Sequence, residues 1–347
     1  MRTKIITINE ENIDINLIKE AGKIIRDGEL VAFPTETVYG LGADGLNQEA
    51  VKKIYKAKGR PSDNPLILHI SSLEELYPLV MEIPEEAHKL MEEFWPGPLT
   101  LVFKKNSIVP DIITAGLDSV AIRMPKNQIA LALIRMAKTP IAAPSANLSG
   151  RPSPTRASHV IDDMSGKIQM IIDGGRTGVG LESTVLDLSS NYPTILRPGG
   201  VTFEDLKNII PSVKQDKSII NQEETPKSPG QKYRHYAPKS EMLLFTGQMD
   251  SIVGEIKRQV ENLVERKMKV GIMATRETAG DYKKGLVKVM GSREEQETIA
   301  ENLFDIIREF DNEDIDIILA EGIDLDNIGT AIMNRLIKAS GGKIIET

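Results

Sequence analysis

The sequence contains no cysteine and only four histidines among its 347 residues. The absence of cysteine excludes a disulfide scaffold, a thiolate zinc site, an iron–sulfur centre and a cysteine nucleophile, and it agrees with a cytoplasmic location. No two of the histidines have the spacing of metal ligands, so a zinc hydrolase is not expected. The residues themselves therefore predict no metal site.

Long apolar runs and aromatic residues are also scarce. No stretch approaches the roughly 18 apolar residues of a transmembrane helix, and the first residues lack a signal-peptide pattern. Aromatic residues make up 4% of the chain, and 43 basic against 50 acidic residues give a net charge of −7. A strongly basic nucleic-acid binder is therefore not favoured.

Two common phosphate-binding motifs are missing. The pattern G-x-x-x-x-G-K-[ST] does not occur, and Gly178 with Gly180 lacks the third glycine of a dinucleotide fingerprint. If a nucleotide binds, scattered basic and hydroxyl side chains have to hold it.

The length predicts two domains at roughly 150 residues each. Residues 211–239 lack a sustained apolar period and are rich in Pro, Lys, Ser, Gln and Glu, which is typical of a linker. We therefore divide the chain into 1–210, 211–239 and 240–347. The second half of the linker, SPGQKYRHYAPK, is either a solvated spacer or a segment that folds back over a site.

The apolar pattern predicts an α/β protein. In 1–210 several short strands alternate irregularly with helices at 15–27 and 47–57, which favours a twisted mixed sheet. Ser72 and Glu75 predict a capping box for a further short helix. In 240–347 strands and helices alternate regularly, which favours a smaller doubly wound, Rossmann-like domain.

A basic cluster, KKIYKAKGR, covers residues 52–60. A basic helix face is usually solvated surface. Lys58 and Arg60, however, flank a helix-ending glycine, and the stiff segment RPSDNP with Ser62 and Asn64 begins at Arg60. Rigid cationic donors of this kind suit phosphate oxygens.

Two loops rich in hydroxyl groups are further candidates for ligand binding. PTETVYGLGADG at 34–45 combines threonines with Gly40 and Gly42, which either let backbone amides approach a ligand or form turns. APSANLSGRPSPT, at 143–155, follows an apolar strand and is either a connecting loop or a platform for a base or sugar.

Two arginines, Arg123 and Arg197, are each predicted at the end of a strand, with a proline within the next two residues. Either could pair with a surface acid, but two such arginines in donor-rich turns favour an anion site. No nucleophile dyad is evident, so the pattern favours catalysis by positioning and electrostatics.

Together these segments resemble the YrdC family. The resemblance rests on order and spacing over residues 15–210, with the K-x-R and S-x-N pairs and the following matching segments: PTETVYGLG, KAKGRPSDNPLILHI, WPGPLTLV, GLDSVAIRMP, APSANLSGRPSPT, ESTV and LRPG. The linker and the C-terminal α/β domain are similar to the long form of that family, although residues 328–340 are the main match in that domain.

The resemblance implies a nucleotidyltransferase that joins L-threonine, bicarbonate or CO2 and ATP into L-threonylcarbamoyladenylate and releases pyrophosphate. A separate transferase complex would then pass the threonylcarbamoyl group to the adenosine beside the anticodon of tRNA. Mg²⁺ is expected with ATP.

The resemblance also implies site residues, which we carry over by motif. The threonine site would comprise Thr37, His69, Arg123, Ala143 and Ser183. The ATP site would comprise Lys58, Arg60, Asn64, Ser119, Ser145, Ser153, Arg197 and Tyr236. Catalytic roles would fall to Lys58, Arg60 and His69.

His69 has the only side chain in these motifs whose ordinary pKa lies near neutrality, so it is a candidate base. The alternative is that it only hydrogen-bonds threonine. Two further alternatives remain open: a module that holds structured RNA without chemistry, and a second domain that acts only as a regulator.

Overall fold

The computed structural model describes residues 2–216 and 235–347. These residues form two units: unit 1 comprises 2–149 and 153–216, and unit 2 comprises 150–152 and 235–347. Most of the predicted linker, residues 217–234, lies outside the described residues. The division of the chain into 1–210, 211–239 and 240–347 therefore stays a prediction. The structure adds one feature that the sequence pattern did not indicate, namely that the short segment Gly150–Pro152 belongs to unit 2.

Unit 1 is built on a mixed sheet of eleven strands within the described residues. The strands are β1 (Lys4–Thr7), β2 (Val31–Phe33), β3 (Gly40–Asp44), β4 (Ile67–His69), β5 (Leu99–Lys104), β6 (Ser119–Arg123), β7 (Ile141–Ala142), β8 (Met170–Asp173), β9 (Thr184–Asp187), β10 (Thr194–Arg197) and β11 (Lys214–Gln215). Their order in the sheet is β1-β8-β2-β3-β7-β4-β6-β5-β9-β10-β11, with parallel and antiparallel pairs. The predicted mixed sheet is confirmed.

The helices of unit 1 are α1 (Ile15–Arg26), α2 (Gln48–Lys58), α3 (Glu85–Phe94), α4 (Asp111–Thr114), α5 (Gln128–Ala137), α6 (Ala157–Met164) and α7 (Phe203–Ile209). Helix α2 begins where the Asn47 side chain accepts from the backbone N–H groups of Glu49 and Ala50. It ends at Gly59, whose φ of 62° lies in the left-handed region that glycine tolerates.

Two local predictions are wrong. Ser72 makes no side-chain capping bond, because the Glu75 carboxylate instead accepts from the backbone N–H and the hydroxyl of Ser71. Gly40 and Gly42 belong to strand β3 rather than to a turn. A Cβ atom on Gly42 would lie 2.9 Å from the Phe33 ring, so this glycine allows close packing against that ring, and the approach of a ligand stays a prediction.

The two faces of the unit 1 sheet differ along strands β4, β6, β5, β9 and β10. One face packs into a large apolar core. The other carries a small cluster, here called the apolar floor, which consists of Ile67, Val102, Ala121, Val185 and Leu196. Because side chains alternate between faces, residues two positions away on these strands share this second face.

A β-bulge interrupts the pairing of β9 with β10. Ile195 pairs with Leu186 and Arg197 with Val185, so Leu196 is an extra residue on β10. Ile195 packs in the large core and Leu196 on the apolar floor, and the bulge lets the next residue, Arg197, pair with Val185 of the same floor.

Unit 2 contains a five-stranded sheet in the order β14-β13-β15-β12-β16, and all of its pairs are parallel. Its elements are β12 (Glu241–Thr246), α8 (Met249–Glu265), β13 (Val270–Ala274), β14 (Leu286–Val289), α9 (Gln296–Phe310), β15 (Ile317–Glu321), α10 (Gly329–Ala339) and β16 (Ile344–Glu346). The predicted Rossmann-like α/β arrangement is confirmed. None of the described helices, in either unit, has the length and apolar composition needed to cross a membrane.

Candidate active site

One edge of the unit 1 sheet brings together residues that are distant in the sequence. His69 and Arg123 pair in register at the ends of the parallel strands β4 and β6. Strand β5 runs antiparallel to β6, so its first residues lie at the same edge, and β9 begins beside them. Arg197, at the end of β10, completes the row. Because neighbouring strands lie about 4.8 Å apart, the row from β6 to β10 spans roughly 14 Å.

Arg123 is the centre of the predicted threonine-binding residues. Its side chain is buried, and its Nη1 donates to Thr37 Oγ1 at 2.9 Å while its Nε donates to Gly97 O at 3.1 Å. Its Nη2 lies 2.7 Å from Glu36 Oε1. Thr37 Oγ1 also lies 2.8 Å from Thr35 Oγ1, so the guanidinium and the hydroxyl are held in one network.

His69 lies beside Arg123 and is 3% exposed. Burial, and then the positive charge of Arg123, lower the pKa of His69 to about 3. The imidazole is therefore neutral at physiological pH, and its Nδ1 makes no hydrogen bond with another described residue. A group with so low a pKa is poorly suited to remove a proton from an ammonium group, which favours the hydrogen-bonding role over the base role.

Ser183 and Arg197 form the second group of the row. Arg197 donates from Nε (3.0 Å) and Nη2 (2.8 Å) to the Ser183 carbonyl, and from Nη2 to Ser183 Oγ (3.1 Å). Ser183 Oγ also lies 2.8 Å from Thr100 Oγ1. All three side chains are buried. The sequence interpretation missed Thr100, although a hydroxyl inside the apolar strand LTLVF was the signal that could have revealed it.

The two groups are joined through residues 97–98. Gly97 accepts from Arg123 through its carbonyl and donates its own N–H to Met124 O at 2.8 Å. The next carbonyl, that of Pro98, accepts from Thr184 N at 3.0 Å. Arg123 on β6 and Ser183 beside β9, both predicted to bind the substrate threonine, are therefore linked by backbone hydrogen bonds of residues 97–98.

The third group lies at the end of α2. Lys58 is 3% exposed, and its ammonium donates to the carbonyls of Ser145 (2.5 Å) and Asn147 (2.7 Å). The Ser149 N–H donates in turn to Lys58 O at 2.9 Å. The predicted K-x-R and S-x-N motifs therefore meet in space at Lys58, and Arg60 follows Gly59 with its N–H bonded to Tyr55 O at 3.0 Å.

Two further predicted ATP residues are buried in unit 1. Asn64 is 2% exposed, and neither atom of its amide group bonds to another described residue. Its backbone carbonyl accepts from the Tyr55 hydroxyl at 3.1 Å, and burial raises the pKa of Tyr55 to about 12, so this donor stays protonated. Ser153 donates to Glu182 Oε1 at 2.5 Å. Sequence reasoning did not select Glu182, although it stands next to Ser183 in the ESTV motif.

The remaining predicted residues lie in different places. Ala143 directly follows β7 and donates its N–H to Ile67 O at 3.1 Å, beside the apolar floor. Ser119 begins strand β6, so it lies roughly 13 Å along that strand from Arg123. Tyr236 lies in unit 2, where it is buried and has a positive φ of 62°.

The comparisons with known proteins give the following results. A family model for Sua5, YciO and YrdC proteins, described as "Telomere recombination", matches residues 23–199. A second model, "Threonylcarbamoyl-AMP synthase, C-terminal domain", matches residues 201–341.

Similar proteins include the threonylcarbamoyl-AMP synthase of Pyrococcus abyssi, which is 50% identical over 97% of each chain. That of Bacillus subtilis is 49% identical over 94% of each chain. That of Schizosaccharomyces pombe is 41% identical, covering 93% of this chain and 88% of the yeast protein.

A crystal structure of Pyrococcus abyssi Sua5 complexed with L-threonine matches with a TM-score of 0.95. The identity is 48%, with coverage of 99% of this chain and 100% of that one. The two family models, the near-complete coverage of these relatives and the shared fold agree with the motif resemblance. The chain belongs to the Sua5/YciO/YrdC family, in its two-domain form with the threonylcarbamoyl-AMP synthase C-terminal domain.

Proposed function

We propose that this chain is an L-threonylcarbamoyladenylate synthase, a nucleotidyltransferase that condenses L-threonine, bicarbonate or CO2 and ATP with release of pyrophosphate. The observation that carries the proposal is the row of buried polar groups at one sheet edge, with Arg123 fixed by Thr37 and Arg197 fixed by Ser183. Close relatives are named for this activity, and one of them is solved with L-threonine.

Threonine is assigned to Thr37, His69, Arg123, Ala143 and Ser183. A guanidinium carries five N–H donors, and Nε, Nη1 and Nη2 of Arg123 each contact one protein oxygen, which leaves two N–H groups for a carboxylate. The neutral imidazole of His69 suits a hydrogen bond to the threonine hydroxyl or amine, because it adds no second charge beside Arg123.

ATP is assigned to Lys58, Arg60, Asn64, Ser119, Ser145, Ser153, Arg197 and Tyr236. In the proposed reaction the threonine ammonium first loses a proton, and the amine attacks CO2 with release of a second proton, or bicarbonate with release of water, to give a carbamate. A carbamate oxygen then attacks the α-phosphorus, and the bond to pyrophosphate breaks. Lys58 and Arg60 would neutralise the leaving pyrophosphate, and Arg197 would stabilise charge on the reacting phosphoryl group. Catalysis then consists of positioning and charge stabilisation rather than a covalent intermediate.

Mg²⁺ would enter with ATP. Among residues 2–216 and 235–347 no three His, Asp or Glu side chains are grouped so that they could hold a metal ion. Magnesium in nucleotide enzymes is commonly held by the phosphates with one or two carboxylates and water, so a protein cage is not required. Its contribution, when bound, is charge neutralisation on the phosphates.

The product would pass to a separate tRNA threonylcarbamoyl transferase complex in the cytoplasm. A direct contact with structured RNA is the alternative use of the exposed lysines on α2, Lys52 and Lys56.

The test is release of pyrophosphate from ATP by the full chain with Mg²⁺ and bicarbonate, together with mass-spectrometric detection of threonylcarbamoyladenylate. We expect release to require L-threonine, and chelation with EDTA to stop it until Mg²⁺ is restored. Tight binding of RNA without threonine-dependent release would overturn the proposal in favour of the RNA-binding alternative.

A further inference from the structure

Helix α9 of unit 2 contacts two short segments that precede it in the chain. One is the loop Gly150–Pro152, and the other is the segment 235–239. Both lie within unit 2, and both are continuous in sequence with residues assigned above to ATP. The contacts therefore hold two segments that adjoin, along the chain, residues assigned to ATP.

Arg308 contacts the loop through its guanidinium. This side chain is 4% exposed, and it donates from Nε (3.2 Å) and Nη2 (2.5 Å) to the carbonyl of Pro152. Asp311, which follows the helix, adds a weaker contact, because Arg151 Nη2 lies 3.6 Å from its carboxylate. A buried guanidinium that donates twice to one carbonyl fixes the direction of that peptide group as well as its position.

The second segment is held by the C-terminal half of the same helix and by Asp311, which follows it. The Lys239 N–H donates to Asp311 Oδ1 at 2.7 Å, and the Tyr236 ring stacks on Phe304 with centroids 5.0 Å apart. Tyr236 has a φ of 62°, in the left-handed region that is unfavourable for a residue other than glycine, so its conformation depends on such contacts. The Ala237 N–H donates to Gly150 O at 2.9 Å, which ties the two segments to each other.

Pro152 directly precedes Ser153, and Gly150 lies three residues after Asn147 of the S-x-N motif. A displacement of this loop therefore moves hydroxyl and amide groups on both sides of it. We propose that Arg308 is a positioning residue for ATP, which acts through the Pro152 carbonyl without touching the nucleotide. This inference rests on the proposed function, and it gives unit 2 a role in substrate binding.

The experiment measures the dissociation constants of ATP and of L-threonine by calorimetry for the full chain and its variants. We expect Arg308→Ala to weaken ATP binding on the order of tenfold, because a small displacement of positioning groups is costly. Threonine binding should change by less than about twofold, since its assigned residues lie elsewhere in the sequence. The dissociation constant of ATP for Arg308→Lys should lie between those of wild type and Arg308→Ala, because an ammonium group keeps the charge but cannot reproduce the planar fork of a guanidinium.

The matched control is Arg258→Ala on α8, an exposed arginine of the same unit that pairs with Glu255. It should leave both dissociation constants unchanged. If Arg308→Ala does not fold, Arg151→Ala replaces it, because this side chain is 30% exposed and belongs to the loop itself. We expect a smaller loss of ATP affinity from that variant, again without loss of threonine affinity.

Unchanged ATP affinity in the folded variant would overturn the inference. A parallel fall of both affinities together with the melting temperature would also overturn it, because that is the signature of a purely structural residue. These outcomes leave the proposed function intact if the wild-type chain releases pyrophosphate. A wild-type chain that binds neither ligand would overturn both.

Discussion

Arg197 and Ser183 are joined by three hydrogen bonds, two to the serine carbonyl and one to its hydroxyl. The bonds connect the end of β10 to the residue that precedes β9. They therefore hold the Arg197 guanidinium beside the start of the neighbouring strand β9. Neither partner is free to leave without exposing buried polar atoms. The pair therefore offers a rigid positive group at the sheet edge rather than a mobile surface charge.

Arg197→Lys is expected to lower kcat for threonine-dependent pyrophosphate release roughly 100-fold, because a preorganised donor at the phosphoryl group is lost. The KM values should change less, since a positive charge is retained. Steady-state kinetics measures both parameters. Arg135→Lys on the exposed side of α5 is the control, and a kcat within about threefold of wild type for Arg197→Lys would contradict the assigned role.

Arg123→Lys is expected to raise the KM for threonine roughly 100-fold while the KM for ATP changes by less than about threefold. The lysine keeps one charge but cannot contact Thr37, Gly97 and Glu36 in the geometry of the planar fork. Initial rates at varied threonine and at varied ATP separate the two effects. An equal rise in both KM values would show that Arg123 does not belong to the threonine site.

Lys58→Met is expected to abolish measurable ATP binding, whereas Lys56→Met should leave it unchanged. The two lysines are two residues apart on α2, but Lys58 is buried against the carbonyls of Ser145 and Asn147 and Lys56 is exposed. Calorimetric titration with ATP compares the pair directly. Equal loss in both variants would indicate that the helix contributes only a diffuse positive field.

His69 gives a prediction about stability and pH. Its pKa is lowered in the folded chain from 6.5 to about 3, so between these values the unfolded chain binds one proton that the folded chain does not. The free energy of unfolding is therefore fully preserved above pH 6.5 and falls by about 1.4 kcal/mol per pH unit below it from this group. His69→Asn should show a shallower slope between pH 6.5 and 4.5 in urea unfolding.

The control for that slope is His88→Asn on α3, because His88 is exposed and should not change it. The same variants test the base role. If His69→Asn weakens threonine binding and leaves the pH–rate profile unchanged, the hydrogen-bonding role is supported. Loss of the acidic limb of that profile would restore His69 as the base.

Helix ends and strand faces were predictable where the residues that determine them are close together in the sequence. Helix α2 was predicted from an asparagine before its first turn and a glycine after its last, and the structure has both caps. Strand alternation alone also places Ala121 and Arg123, two residues apart on β6, on one face of the sheet. The motif resemblance supplied the assignment of residues to substrates.

Features that depend on long-range order were not predictable. The contact between the Thr100 and Ser183 hydroxyls follows from the pairing of β5 with β9, and no local pattern reveals that pairing. The capping box at Ser72 failed because a neighbouring serine competes for Glu75. Helix α5 was missed because its sequence, QIALALIRMA, is almost entirely apolar and most of it is buried, so it shows little polar face.

The bulge at Leu196 lets two consecutive residues of β10 lie on the same side of the sheet. Leu196 packs on the apolar floor, and Arg197 pairs with Val185, which belongs to that floor, whereas Ile195 pairs with Leu186 of the large core. A chain that lacked Leu196 would keep Arg197 opposite Val185, because the residue removed is the extra one. The position of the guanidinium should therefore tolerate the loss of this residue, and only an apolar contact of the floor would disappear.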